Sequence, residues 1–325
     1  MTDRVTDRPI IGLDDAFGFR AKALRDLQRR LLALFEEAGF DEVIPPILER
    51  PDTLKSGAGR FLADQTVVFS DPAGAGLLAI RSDITPQIAR IAATRLQSKD
   101  ILKLCYSGTV MLARPESRRG SRQQWQTGVE YLGVSGAAGD TEVMRLAATC
   151  MLAAGFKQPV LQVGHIGLLK ALVEESSISL EMWRELIARR SPDDLAASLA
   201  SEKLSKTNRN VLLAIASGLG DLAWIKAQQG KVNNAFDCAA EELTCLTNQV
   251  SKQVGGGVQV QADAAVMPRF LYHSGIVFAG FAAGVPQALL HGGRYDAMMA
   301  AHGRDMPATG FSCDLWTWLD AVQSA

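Results

Sequence analysis

Apolar positions recur with a helical period between residues 14 and 38, where Leu24, Leu27, Leu31, Leu34, Phe35 and Ala38 share one stripe with Arg and Glu opposite. Gly39 stands where a glycine closes a helix. The period then shortens to two. FDEVI (40–44) reads as a short strand stopped by Pro45-Pro46. TVVFS (66–70) and LLAIR (77–81) read as strands of a hairpin around DPAGAG. Thr85 reads as a cap with Pro86 at the first helical position, and Ile88, Ile91 and Leu96 continue that helix. Residues 101–112 and 125–133 read as long strands joined by a basic loop, ARPESRRGSRQ. Asp140 is placed to cap a helix that runs to Gly155.

From about 165 to 255 strand signals vanish, and starts such as Ser191-Pro192-Asp193-Asp194 open several short helices rich in Ala, Leu and Ser. Strands return near 257–262, 269–281 and 286–291, and GGRYDAMMAAHG opens a last helix–strand–helix stretch. The strands come as hairpins more than in alternation with helices. That favours the α+β class, an antiparallel sheet flanked by helices, over a doubly wound parallel sheet.

Composition narrows the class without choosing a function. The 325 residues allow one large domain or two, with ample core. Hydrophobic content of 47% and charged content of 21% fit an ordinary globular protein, and a net charge of −1 leaves no basic footprint for nucleic acid. Five cysteines without C-x-x-C spacing read as free thiols in a reducing cytosol. MTDRVTDRPI has no apolar core, and the apolar runs Val211–Ile225 and Gly275–Leu290 are broken by Asp221 and Pro286, so no signal peptide or membrane span is expected and the location is cytoplasmic. The chain carries no P-loop, no G-x-S-x-G and no H-E-x-x-H, and its four histidines lack metal-ligand spacing. Neither metal nor cofactor is expected.

Three segments hold candidate chemistry. In RSDITPQIAR (81–90), Arg81, Asp83 and Thr85 precede a helix start. That is either a plain cap or an acid placed to hold an amino group. In RPESRRGSRQQWQTGVEYLG (114–133), Arg114, Arg118, Arg119 and Arg122 crowd a loop, and Gln126 and Glu130 alternate onto one strand face. Buried there, these two would need partners. The third segment, 272–315, carries Tyr272, His273, Arg294, Tyr295 and Asp296 among glycines. It ends in ATGFSCDLW, a strand turning into a helix, a shape suited to phosphate but with Asp314 at the helix start.

Together the segments resemble the catalytic core of histidyl-tRNA synthetase, a class II aminoacyl-tRNA synthetase. LRDLQRRLLALFEEAGFDEVIPPILE matches its opening, LCYSGTV…WQTGVEYLG its second motif, GGRYD a further element and PATGFSCDLWTWL its third motif. The departures are specific. The position of the second motif's ATP-binding arginine, counted from Gly108 to Gly128, is Leu112. The third motif has Asp314 and Thr317 where glycine, two residues and arginine would run. The arginine of the histidine-specific motif falls on Pro268, or on Arg269 with a shift of one. Loss of these cations removes the electrostatic support of an acyl-adenylate transition state.

This profile is similar to the family of ATP phosphoribosyltransferase regulatory subunits. The resemblance implies a class II synthetase-like core over 1–164 and 256–325, a helical insertion over 165–255 and no anticodon-binding domain. It implies no catalytic residues of its own and a pocket for histidine, as a possible effector, made of Asp83, Thr85, Gln126, Glu130, Tyr272, His273 and Tyr295. Asp83 stands for the family's glutamate and His273 for a tyrosine. The implied partners are a short-form catalytic ATP phosphoribosyltransferase subunit, at the first step of histidine biosynthesis, and a second copy of the chain. No tRNA or membrane partner is implied. The alternative is an active ligase forming an aminoacyl-adenylate, with Arg114, Arg118, Arg119 or Arg122 as its ATP clamp. A tRNA-binding sensor is a third reading, and it would need a basic surface.

Overall fold

The computed structural model describes residues 10–57, 63–74, 76–115, 120–268 and 272–324. Arg118, Arg119 and Arg269 lie outside them. The chain opens with helix α1 (Gly18–Glu37) and strand β1 (Asp41–Glu42). A small unit follows, with β2 (Leu48–Glu49), α2 (Pro51–Lys55), β3 (Val67–Ser70) and β4 (Leu77–Ile80). Helix α3 (Thr85–Thr94) leads into the long hairpin of β5 (Leu102–Met111) and β6 (Gln123–Leu132), and then into α4 (Ala137–Ala154) and β7 (Val160–His165). Helices α5 (Ile166–Leu172), α6 (Leu180–Ala188), α7 (Pro192–Leu199), α8 (Lys206–Ala216), α9 (Leu222–Gln228) and α10 (Asn234–Gln253) fill the stretch before β8 (Gln259–Ala262). The chain closes with β9 (Ile276–Ala282), β10 (Val285–Arg294), α11 (Asp296–Ala301), β11 (Ala308–Asp314) and α12 (Leu315–Ser324).

The main sheet has the order β1-β5-β6-β11-β10-β9-β7-β8. It is antiparallel from β5 through β7, as the hairpin pattern predicts, and parallel at both edges, where β1 joins β5 and β8 joins β7. A parallel pair needs a long crossover, and α5 to α10 provide it between β7 and β8. A second sheet has the order β2-β4-β3.

One face of the main sheet packs on α1, α4, α10 and α12 through a large core that includes Leu31, Phe35, Met144, Leu243 and Trp318. The other face carries a smaller core of Ile84, Ile88, Leu104, Tyr106, Tyr295 and Met298, under α3 and α11. That second face holds the candidate site.

Helix α1 starts at Gly18, later than the expected 14, because Asp14 and Asp15 lie outside the helix and Phe17 has extended backbone at the N-cap. Gly39 takes the left-handed conformation expected of it, φ 82°. The strand expected over 40–44 is confined to Asp41 and Glu42. Asp140 does not cap α4. Gly136 is the N-cap, and Asp140 forms a buried ion pair with Arg294 (Oδ1–Nη2 3.0 Å, Oδ2–Nε 3.2 Å). Ser191 does cap α7 with Pro192 behind it, and Ser179, Ser205, Asp221 and Asn233 cap α6, α8, α9 and α10 in the same way. Strand β7 lies in a stretch where the sequence pattern predicts no strand. The strand expected over 269–281 begins only at Ile276, and Tyr272 to Gly275 lie ahead of it.

Candidate functional site

Strand alternation on β6 builds the floor of the site. Gln126, Gly128 and Glu130 face α3, while Val129 joins the opposite core. The register then sets their neighbours. Glu130 stands opposite Gly310 of β11 and Leu104 of β5, and Gly128 stands opposite Tyr106. A Cβ on Gly310 would come within 1.9 Å of Glu130 Oε2. A Cβ on Gly128 would meet the Tyr106 hydroxyl at 2.8 Å. The glycines thus make room for the two polar groups beside them.

Glu130 is 2% exposed and lies at the centre. Its Oε1 accepts from Thr85 Oγ1 at 2.8 Å and from Tyr106 OH at 3.1 Å, and its Oε2 accepts from Tyr295 OH at 2.6 Å. Burial raises its pKa to about 8, against the pull of those three hydrogen bonds. Burial, with Glu130 adjacent, also pushes the Tyr106 and Tyr295 hydroxyls well up, so both remain donors.

Asp83 is the second buried acid, 1% exposed. It accepts from Gln126 Nε2 at 2.7 Å, from the Thr85 N–H at 3.1 Å and from Tyr272 OH at 3.4 Å. Gln126 in turn accepts the Ile84 N–H at 2.8 Å. The start of α3 is therefore satisfied by Asp83 and Gln126. Thr85, read from sequence as the cap, is the first helical residue and turns its hydroxyl to Glu130. Arg81 does not face this site. Its guanidinium binds the carbonyls of Thr109 and Pro45 at 2.8 Å each, passing over Gly108.

Tyr272 and His273 are sequence neighbours, and on a strand they would face opposite ways. Ahead of β9 they instead stack, with ring centroids 4.6 Å apart, and both line the same pocket. Tyr295 meets Tyr272 edge-on at 5.8 Å. Thr85, Glu130, Tyr272, His273 and Tyr295 surround one small cavity of about 20 Å³ together with His291, Gly292, Gly310 and Ser312. Asp83 and Gln126 line the adjoining cavity of about 90 Å³, and the two share His291 and Ser312. The structure thus gathers all seven residues that the sequence nominated. Tyr106, His291, Gly310 and Ser312 were not nominated. The cross-strand pairing of Tyr106 with Gly128 is the signal that could have found Tyr106.

The cleft beyond these pockets is lined by Asp14, Asp15, Asp314 and Asp320 with Arg20, Gln123 and Gln124. Arg20 pairs with Asp320 at 2.9 Å. Asp314 accepts from the backbone N–H groups of Trp125 (2.8 Å), Thr317 (3.2 Å) and Trp316 (3.4 Å), and from Thr317 Oγ1 (2.7 Å). Burial pushes its pKa up while these bonds hold it down. The start of α12, where a phosphate could sit, is occupied by the chain's own carboxylate. Leu112 is 2% exposed, and its carbonyl receives Arg122 Nε at 3.1 Å. A buried leucine thus stands where the resemblance implies a cationic clamp, and Arg122 is held at the base of the hairpin.

A sheet of this order with paired acids at its centre defines a class II, histidyl-tRNA synthetase-like protein. The histidyl-tRNA synthetase family model matches residues 12–317. The fold superposes with a TM-score of 0.87 on a Bacillus halodurans protein described as an ATP phosphoribosyltransferase regulatory subunit/histidyl-tRNA synthetase, at 24% identity over 99% of this chain and 84% of that one. It superposes on the histidyl-tRNA synthetase of Nostoc with a TM-score of 0.83, at 16% identity over 98% and 76% of the two chains. In sequence it is 34% identical over 304 residues to the ATP phosphoribosyltransferase regulatory subunit of Paraburkholderia phymatum, spanning 93% of this chain and 78% of that protein. It is 35% identical over 319 residues to the subunit of the same name from Chromohalobacter salexigens, spanning 96% and 81%. The chain belongs to the family of ATP phosphoribosyltransferase regulatory subunits.

Proposed function

We propose that the chain is a non-catalytic regulatory subunit of ATP phosphoribosyltransferase, acting in histidine biosynthesis and binding histidine as its effector. One contrast carries the reading. The amino-acid half of a synthetase site is retained around Glu130 and Asp83, while the nucleotide half has Asp314 and Leu112 in place of cations. A triphosphate brought to Asp314 would meet like charge in a partly desolvated cleft. The amino-acid half has the opposite character. Asp83 suits an α-ammonium, and Glu130 with the tyrosines suits imidazole nitrogens.

The partner is the short-form catalytic subunit. Two copies of this chain meet through the opening helix and strand region, where Phe17, Phe19 and Ile44 are exposed apolar residues. Histidine regulates the assembly by binding one state of it more tightly than the other.

The test is a reconstitution. Phosphoribosyl-ATP formation by a short-form transferase from the same organism is assayed with and without this chain, and with and without histidine. Activity that rises on mixing and falls with histidine supports the reading. A transferase indifferent to the chain, with no co-elution, removes it.

A further inference from the structure

Glu130 is held in a hydrogen-bond cycle that can keep or release a proton without losing a partner. Thr85 Oγ1 and Tyr106 OH both contact Oε1, and they lie 3.2 Å from one another. With the carboxylate ionised, Thr85, Tyr106 and Tyr295 all donate to it. With a proton on Oε1, the carboxyl donates to Tyr106, Tyr106 donates to Thr85, and Thr85 donates back to Oε1. Tyr295 donates to Oε2 in both states. Neither arrangement leaves a buried polar group unpaired, which is the condition for two protonation states of similar standing.

Groups from four segments face Glu130. Tyr106 reaches it from β5, Asp83 from the turn before α3, Tyr272 and His273 from the segment before β9, and His291 and Tyr295 line the cavity from β10 and its end. Gly310 and Ser312 of β11 bring no charge. Among the described residues no Lys, Arg or His forms an ion pair with Glu130, and Arg294 is turned to Asp140. Burial raises the pKa of the carboxyl, with Asp83 adding to the upward push.

We propose, building on the histidine-pocket reading, that the imidazole of the ligand is held by one proton shared with Glu130, and that Tyr106 is the positioning residue that lets the empty pocket store or release that proton. The proton count is simple. Near neutral pH the empty pocket carries the proton, the free imidazole carries none, and binding exchanges none with water. At higher pH the empty pocket has lost it, and binding takes up one proton. Below about pH 6.5 the free imidazole is already protonated, and binding releases one. Affinity is then highest in a window around neutrality and falls about tenfold per pH unit on each side.

The experiment is isothermal titration calorimetry of L-histidine into the reconstituted complex from pH 5.5 to 9, in buffers of different ionisation enthalpy. The expected wild-type result is a plateau near neutrality and a limb above about pH 8 with uptake of one proton. Glu130→Gln should bind at least tenfold more weakly on the plateau and lose that limb, keeping only the part that belongs to the ligand's own ammonium. Tyr106→Phe removes one donor to the carboxylate and should move the limb to higher pH. A merely structural tyrosine would weaken binding uniformly and leave the limb in place. Wild-type binding that keeps one affinity from pH 7 to 9 overturns the shared proton and leaves the pocket reading intact. Histidine binding that Glu130→Gln does not change overturns the pocket reading itself.

Discussion

The carboxylate of Asp314 receives the backbone N–H of Trp125 from the neighbouring strand at 2.8 Å while it caps α12 through Thr317. One side chain thereby closes the end of β11, the edge of β6 and the start of a helix. An arginine at the start of α12 would reach outward toward a triphosphate. An aspartate there folds back and satisfies the chain's own donors. The two parts of the cleft differ for this reason: around Glu130 and Asp83 polar groups line a cavity, and at Asp314 they are aimed at the chain's own backbone.

Replacing Asp314 by Ala should therefore destabilise the protein by about 1 kcal/mol, the usual value of an N-cap, and should confer no ATP binding. Chemical denaturation and calorimetry with ATP read the two effects separately. An undiminished unfolding free energy would show that the cap is not needed.

Gly310 faces Glu130 at a distance that leaves no room for a Cβ, 1.9 Å from Oε2. Gly310→Ala should push the carboxylate out of its three hydroxyl contacts and reduce histidine affinity at least tenfold. The same Cβ would meet the Val129 carbonyl at 2.4 Å, so urea unfolding should show a loss of stability beside the loss of affinity. Calorimetry checks the affinity, and unchanged binding would mean that Glu130 is not part of the site.

The buried pair of Arg294 and Asp140 ties α4 to the end of β10, with further bonds from Arg294 to the carbonyls of Val134 and Gly136. Removing the acid leaves a guanidinium that is 9% exposed with only the partly exposed Asp296, at 3.3 Å, as its ion-pair partner. Asp140→Ala should cost about 3 to 5 kcal/mol, seen as a lower urea midpoint or as insoluble protein. A change under 1 kcal/mol would show that water reaches Arg294.

Stability should depend on pH through Glu130. Its ordinary pKa of 4.5 is raised to about 8 in the fold, so the folded state holds a proton that the unfolded state has given up. Stability from this group is full below the unfolded pKa and declines as pH rises to the folded one, by several kcal/mol over the window. Glu130→Gln, which is neutral throughout, should be more stable than wild type at pH 8.5, and the gap should narrow toward pH 5. Urea unfolding at the two ends checks this, and a gap that widens toward acid would contradict it.

Much of this architecture could be read from residue patterns. The stripe of Leu24, Leu27, Leu31 and Phe35 is buried as its period required, and the β5–β6 hairpin lies within a residue or two of its expected limits. What escaped was decided by tertiary partners. β7 is a short apolar run, and period alone does not separate such a run from a helix segment. Asp140 and Thr85 both had the local character of caps, and each found a stronger partner from a distant segment, Arg294 or Glu130. The seven site residues were named through family resemblance, because nothing local shows that Gln126 and Asp83 meet. Tyr106 and Gly310 matter through cross-strand register, which a single strand's sequence does not display. Tyr272 and His273 share a pocket because they precede β9, whereas strand alternation would have separated them.

The central claim is that histidine acts on the transferase through this pocket. Its most direct test is the histidine inhibition curve of the reconstituted complex carrying Asp83→Asn, which removes the charge meant for the α-ammonium. The account predicts a complex that still co-elutes and still supports phosphoribosyl-ATP formation, with half-inhibition moved to at least tenfold higher histidine. A variant complex inhibited at the wild-type concentration would contradict it and would place the effector elsewhere in the assembly.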